Sequence, residues 1–359
     1  MAQITIMGAG IFGLTAAWVM ARRGASVTLI ERERVGAGSS GGIVGALAPH
    51  VPELWNTKKA FQLQSLLMAE GFWADVAELG GKDPGYARTG RVQPIADDNA
   101  LSFARVRIEG ARDLWQGQAE WHVIPASDAP GFTVNSPTGW AIFDTLSARL
   151  SPRAAAAALV AGLKMMGVRI LTGDTPPDNS IVLWATGAAG IAELSADLNR
   201  PMGNAVKGQS ALFKADFRNA PQLYSDWIHF IPHADGTVAV GSTSERYFDD
   251  PTSTDAQLDD LIARARVTCP ELGQAPLLER WAGLRPRSLT RSPMLGAWPG
   301  RPGHYVLNGG FKIGFGMAPQ LAHLAADLLL DGHDAVPVGF RIEDTMHYKK
   351  APKKKAPTS

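Results

Sequence analysis

Three glycines and one carboxylate near the N-terminus have the types and spacing that hold a dinucleotide. Gly8, Gly10 and Gly13 form a GxGxxG pattern directly after the apolar run at residues 3–7. Gly8 permits a tight turn, Gly10 lets the main chain approach a pyrophosphate, and Gly13 lets a helix pack close to the strand. The phosphates then face the helix N-terminus at Ile11 and Phe12. Glu31 lies 18 residues beyond Gly13 at the end of a second apolar run. A carboxylate there accepts hydrogen bonds from ribose hydroxyls and repels a 2′-phosphate, which argues against NADP. A glycine turn alone has a plain structural reading. The strand before it, the helix after it and the acid at this distance together point to a dinucleotide.

Further residues separate FAD from NAD. Next to Glu31 and Arg32 runs VGAGSSGGIVGALAP at residues 35–49, rich in small side chains. Such a run suits a backbone passing close to a large, extended ligand, although a flexible loop has the same composition. It brings Ser39, Ser40, Val44, Gly45 and Ala46 into the cofactor set. Thr186 and Gly187 follow a continuous apolar strand, the place where α/β sheets hold ligands. Gly310, Phe311, Ile313, Gly314 and Phe315 sit between a strand and a helix whose N-terminus can stabilise negative charge on a reduced flavin. These features point to non-covalent FAD. A linkage through cysteine is not expected, because Cys269 is the only one.

The elements that must position these residues follow from periodicity. Residues 3–7 and 26–31 read as strands around a helix at 11–23. Apolar residues at helical spacing mark a helix over 60–79, ended by Gly80-Gly81. Ser151-Pro152 opens a helix to residue 166, and residues 168–171 and 181–185 return to strand. Strands at 205–214, 227–233 and 237–242 form an antiparallel block with a hairpin turn at Asp235-Gly236, covered by a helix at 255–267. A strand at 305–308, a glycine turn and a helix at 318–330 close the chain. The expected fold is α/β, with a Rossmann-like cofactor domain interleaved with a β-rich α+β substrate domain. We expect the first over residues 1–85, 140–205 and 278–345, and the second over 86–139 and 206–277.

The chain has 359 residues, 45% hydrophobic and 19% charged, which fits two folded domains. It has no run of apolar residues long enough to span a bilayer and no secretory leader pattern. One cysteine excludes an internal disulfide and a cysteine-based metal cluster, and no metal site is expected. A reducing, cytoplasmic setting is expected. The formal charge is +1, yet five lysines fall in the last eleven residues, so the remainder is acidic by four charges. The Lys-rich tail at 346–359 has nothing apolar to bury and is expected to be disordered. It reads either as a solubilising end or as a contact for nucleic acid or a membrane surface.

Taken together, these residues resemble the D-amino-acid oxidase superfamily, and within it glycine oxidase and its amine-oxidising relatives. The resemblance rests on MGAGIFGL with Glu31, SSGGIVGALAP, AVKGQ at 205–209, FIPHADGTVAVGST at 230–243, WAGLRP at 281–286 and NGGFKIGFGMAP at 308–319. It covers the chain from residue 2 to about 341 and implies a FAD domain of glutathione-reductase type. It also implies that Arg285 holds a substrate carboxylate, since a planar guanidinium pairs bidentately and stays charged. An inter-domain salt bridge is the alternative for Arg285. Lys312 stands where glycine oxidases carry a second arginine, and reads as a carboxylate contact, a charge near the flavin or a solvated turn residue. His229 stands where a substrate-contacting tyrosine aligns, and reads as a pocket residue or a structural histidine. Thr290-Arg291 replaces the family's Asp-Gly. The segment between residues 171 and 181 is short and lacks the family's hairpin.

The resemblance implies FAD-dependent oxidation of the C–N bond of a small amino acid or N-substituted glycine. A hydride passes to flavin, and the resulting imine hydrolyses. The electron acceptor is oxygen or another partner. Two other functions stay open. One is oxidation of a glycine-like group on a wobble uridine of tRNA, with the lysine tail helping to hold RNA. The other is a non-catalytic flavoprotein. Oligomeric state is not legible.

Overall fold

The computed structural model describes residues 2–177 and 181–349. The Lys-rich segment from residue 350 onward lies outside the described residues, so the expectation of disorder there is not addressed.

Two sheets organise the chain. The first has six strands, in the order Met294–Ala297, His304–Asn308, Ile181–Trp184, Gln3–Met7, Ser26–Glu31 and Arg169–Thr172. All neighbours are parallel except the outer pair Met294–Ala297 and His304–Asn308. The opening strand sits centrally and is buried on both faces from Ile4 onward, which is why it reads as an unbroken apolar run. Register places Met7 opposite both Ile30 and Trp184, so the ends of three strands meet at one edge, beside Gly8, Glu31 and Ala185.

Helices cover this sheet. Ile11–Arg22 packs against Gly314–Asp331 and Pro152–Met165, and Thr57–Gly80 against both of the latter. Their ends obey local chemistry. Asn56 accepts the Lys59 N–H and Ser151 the Ala154 N–H, while Gly81 closes the long helix in the left-handed conformation.

The second sheet has eight strands. Their order is Leu277–Ser288, Gly203–Lys214, Thr237–Gly241, Ile228–Pro232, Gln222–Ser225, Arg91–Pro94, Trp140–Asp144 and Trp121–Pro125. One junction, between Gln222–Ser225 and Arg91–Pro94, is parallel. A buried ion pair, Arg91 Nε to Asp144 Oδ2 at 3.1 Å, ties two of these strands together. Helix Ala256–Thr268 lies against the sheet, capped by Asp255.

Two expectations need correction. The boundaries at 140 and 278 put Trp140–Asp144 and Leu277–Ser288 with the cofactor part, whereas both strands lie in the eight-stranded sheet. Leu277–Ser288 pairs with Gly203–Lys214 over its whole length, so WAGLRP lies on a strand of this sheet. The last long helix begins at Gly314, not at residue 318, with Pro319 inside it. Proline costs least in the first turn. Here tertiary packing holds a proline in the second turn, and the helix start moves four residues closer to the six-stranded sheet's functional edge.

At Thr290-Arg291 the departure from Asp-Gly places a non-glycine residue where glycine is favoured. Arg291 has φ of 62°, a left-handed conformation that glycine adopts without strain. Its carbonyl accepts a 2.9 Å hydrogen bond from Lys58 Nζ, which helps hold the turn.

Candidate active site

The first βα turn is built around close backbone approach. Gly8 has φ of 99°, and a Cβ there would lie 2.6 Å from the Ala185 carbonyl oxygen. A Cβ on Gly13 would lie 1.9 Å from the Gly8 oxygen. Gly13 therefore fixes the helix against the strand and does not itself reach the cavity. Gly10 differs. Its nearest neighbour would be Ser40 Oγ at 3.2 Å, so the protein leaves room and the open side faces the cavity. Ser40 Oγ accepts the Ile11 N–H at 2.9 Å. Neither Ile11–Arg22 nor Gly314–Asp331 has an acid in its first turn, which keeps both helix N-termini receptive to negative charge.

Glu31 is oriented by main-chain donors. Its Oε2 accepts the Ala9 N–H at 2.7 Å and its Oε1 the Glu33 N–H at 3.1 Å. Each oxygen keeps further lone-pair capacity toward the cavity that Glu31 lines. Across from it, Asn308 is buried and clamps two loops. Its Nδ2 donates to the Gly187 carbonyl at 2.8 Å, and its Oδ1 accepts the Gly309 N–H at 2.7 Å. The buried Thr186 hydroxyl has no partner among the described residues and lines the same cavity.

These groups border one continuous cavity of about 890 Å³, near the upper end of the roughly 300–1,000 Å³ typical of ligand sites. It runs from Gly8, Glu31 and Arg32, past Ser39, Ser40, Val44 and Ala46, to Thr186, Gly187, Gly310, Phe311, Gly314 and Phe315. Gly45 and Ile313 do not line it. A Cβ on Gly45 would lie 1.8 Å from the Leu150 oxygen, so that glycine serves a backbone crossing, and Ile313 packs into the main core. Glycine cradle, ribose carboxylate, receptive helix N-termini and an unpartnered hydroxyl are the donor and acceptor set an extended dinucleotide requires. The residues fit FAD.

Arg285, Lys312 and His229 all border the far part of the same cavity. Arg285 is 9% exposed and forms no ion pair among the described residues. Its Nη1 donates to the Thr243 carbonyl at 3.3 Å. Gly208 makes its position possible, since a Cβ there would fall 1.6 Å from Nη1. Burial pulls the Arg285 guanidinium down to about 10, against attraction from Glu245, so it is still a cation at neutral pH. Lys312 is also without an ion pair; burial and then Arg285 push its amine below the usual lysine range. A cation buried without a counter-ion is costly, and an incoming carboxylate relieves that cost. Among the described residues no acid lies within ion-pair distance of Arg285, and Glu245 acts on it only from farther away.

His229 lines the cavity, as its pocket reading expects. Burial, then Arg91 and Lys312, bring its imidazole down to about 3, which favours the neutral ring at neutral pH. Its Nδ1 is buried without a partner, and its ring packs on Tyr224 at 4.5 Å between centroids. A neutral imidazole is suited to hydrogen bonding with an amine, not to charge pairing.

The sequence reading missed Tyr224, Trp227, Ser242, Ser244 and Asn308, all of which line the cavity. Tyr224 faces His229 across the hairpin, so a tyrosine contributes to this wall from the neighbouring strand. Trp227 is 82% exposed at the turn of that hairpin, with φ of 64°. An exposed tryptophan beside a strand end was the one legible signal.

Comparisons with known proteins agree with this geometry. A family model described as FAD dependent oxidoreductase, DAO, matches residues 3–328. A glycine oxidase of Pseudomonas aeruginosa is 30% identical, with 91% of this chain and 94% of that protein covered. The solved glycine oxidase of Geobacillus kaustophilus superposes with a TM-score of 0.81 over 95% of this chain and 99% of that one, at 20% identity. An iminodiacetate oxidase from Chelativorans sp. BNC1 also gives 0.81, at 21% identity, over 93% and 97% of the two chains.

Proposed function

We propose, from the premise that this chain belongs to the DAO family of FAD-dependent oxidoreductases, that it oxidises the C–N bond of a small amino acid or N-substituted glycine. That it is an FAD-dependent amino-acid or amine oxidoreductase is the premise; the carboxylate-bearing amine is the proposal. Arg285 carries it, as a buried guanidinium that opens on the cofactor cavity with no acid paired to it.

Bound FAD supplies a two-electron acceptor for the hydride leaving the substrate carbon. The chain's own residues do the rest. Arg285 and Lys312 hold the carboxylate and so fix which C–H bond faces the ring. The same two cations disfavour a third positive charge, which shifts the substrate amine toward its neutral form. His229, on the cavity wall, is proposed to hydrogen-bond with that amine. Once carbon has lost hydride and nitrogen a proton, the imine takes up water and separates into an oxo acid and ammonia, or an amine where the nitrogen was substituted. No separate base is required. Among the described residues no helix is long and apolar enough to cross a membrane. With its single cysteine buried, the chain suits a reducing compartment, and the cytoplasm is the setting proposed.

The test is anaerobic bleaching of the flavin by glycine, N-methylglycine, iminodiacetate, larger amino acids and the corresponding decarboxylated amines. Bleaching by carboxylated amines alone supports the reading, and equal rates with decarboxylated amines overturn it. A pH profile gives a second measurement. The Lys312 charge is present below its lowered pKa and lost as pH rises through it. The reduction rate at low substrate should therefore fall on an alkaline limb below the ordinary lysine range. Lys312→Met should remove that limb and lower the plateau by about tenfold, the loss of one partly buried charge contact. Lys312→Arg should move the limb out of reach. A limb unchanged in Lys312→Met would assign it to another group.

A further inference from the structure

Behind the strand that seats Arg285 lies a buried charge cluster that the proposed reaction does not use. Lys207 is 2% exposed. Since Arg285 packs over Gly208, strand alternation sends Lys207 and Gln209 to the opposite face. Lys207 Nζ lies 3.2 Å from Asp255 Oδ2 and 3.7 Å from Glu245 Oε2. Gln209 Nε2 donates to Glu245 Oε1 at 3.0 Å and to Asp255 Oδ1 at 2.8 Å, and its Oε1 accepts the Asp255 N–H at 2.9 Å. The main chains of Lys207 and Glu245 exchange hydrogen bonds of 3.0 and 2.9 Å.

Thr243 connects this cluster to the site. Its hydroxyl donates to Glu245 Oε1 and accepts the Gln209 N–H, while its carbonyl accepts from Arg285. Glu245 is buried, and among the described residues its Oε2 has no hydrogen-bond partner, only the 3.7 Å ion pair with Lys207. It is also the acid whose charge acts on Arg285. Screening is weak in this interior, so one carboxylate behind a guanidinium subtracts from the potential offered to an anion in front of it. Lys207 offsets that subtraction.

We propose that Lys207 and Glu245 set, with opposite signs, how strongly Arg285 attracts a substrate carboxylate, acting as positioning residues that never touch the substrate. This rests on Arg285 being the carboxylate anchor. AVKGQ then has a physical meaning. Its glycine admits the guanidinium on one face, while its lysine and glutamine hold the acids on the other.

The test uses holoenzyme and acetate, a carboxylate with no amine to oxidise, followed by perturbation of the flavin absorbance. Glu245→Gln should tighten acetate about three- to tenfold and Lys207→Met should weaken it by a similar factor. The double variant should return to the parental value. The half-saturating substrate concentration for anaerobic flavin reduction should move in the same directions, with the limiting rate within about twofold. A merely structural pair would loosen binding in both single variants, and that outcome overturns the proposal, as does no shift in either. If Lys207→Met fails to retain FAD, Glu245→Gln decides alone: tighter acetate supports the proposal, and unchanged or weaker acetate overturns it. Arg285→Met is the control for the premise. Acetate binding that survives it unchanged refutes the anchor itself, a result distinct from failure of the Lys207–Glu245 pair.

Discussion

Arg285→Met is expected to abolish most substrate-driven flavin reduction while leaving the protein as stable as before, or more so. The two effects have one cause. The guanidinium is buried over Gly208 with a single 3.3 Å hydrogen bond to the Thr243 carbonyl and no ion pair. In the free protein its desolvation is poorly compensated, and a methionine of similar length fills the space without that cost. In the complex the guanidinium pairs with a carboxylate away from water. Removing one member of such a pair costs about 2–5 kcal/mol, or about thirtyfold to several thousandfold in kcat/KM. Stopped-flow reduction under anaerobic conditions and a thermal melt of the same sample check both halves. Arg285→Lys should recover part of the rate, since it keeps charge but loses the bidentate fork. Full activity in Arg285→Met would remove the arginine from substrate binding. A large drop in melting temperature would show that the residue supports the fold instead.

Much of this site was legible because its signals are local. Gly8, Gly10, Gly13 and Glu31 lie within one βαβ unit, where strand, turn and helix fix their relative places. Ser151 announces its helix by capping chemistry that spans three residues, whereas the Asn56 cap went unread and the long helix starts at Thr57, not at residue 60. The strands at 203–214, 228–232 and 237–241 were found because short apolar runs and an Asp-Gly turn are short-range patterns.

What was hidden depends on contacts distant in sequence. Helix Asp98–Trp115 went unread: only Leu101, Ala104, Ala111 and Trp115 of it are buried, while Phe103, Val106 and Ile108 are exposed and blur the period. Strand Leu277–Ser288 went unread because its pairing partner lies about seventy residues away. Gly208 carries no sign of Arg285 in its neighbourhood, and only the register of two strands brings them together. Tyr224 escaped because His229 occupied the position that invited attention. The charge of His229 was unreadable, because it depends on burial rather than on residue type.

Gly10→Ala and Gly13→Ala should fail in different ways, and the difference tests the cofactor reading directly. Gly13 is surrounded by protein. Its added methyl would meet the Gly8 carbonyl at 1.9 Å, main chain against main chain, where neither side can rotate away. The helix must move off the strand, and overpacking of this kind costs about 1–3 kcal/mol or more. Apoprotein and holoprotein should both melt earlier. Gly10 has φ of −78° and ψ of −179°, open to any residue, and its methyl would meet only Ser40 Oγ at 3.2 Å. The apoprotein should therefore fold with an unchanged melting temperature. Its methyl points to where a pyrophosphate has to approach the backbone, so FAD affinity should fall by about a hundredfold. Fluorescence titration of the apoproteins with FAD, alongside melts with and without it, separates the two. Parental FAD affinity in Gly10→Ala would mean that no phosphate comes near this turn, and the helix N-terminus at Ile11 would lose its role. A folded Gly10→Ala apoprotein that no longer retains FAD would establish that this glycine is required by the ligand, and Gly13 by the chain.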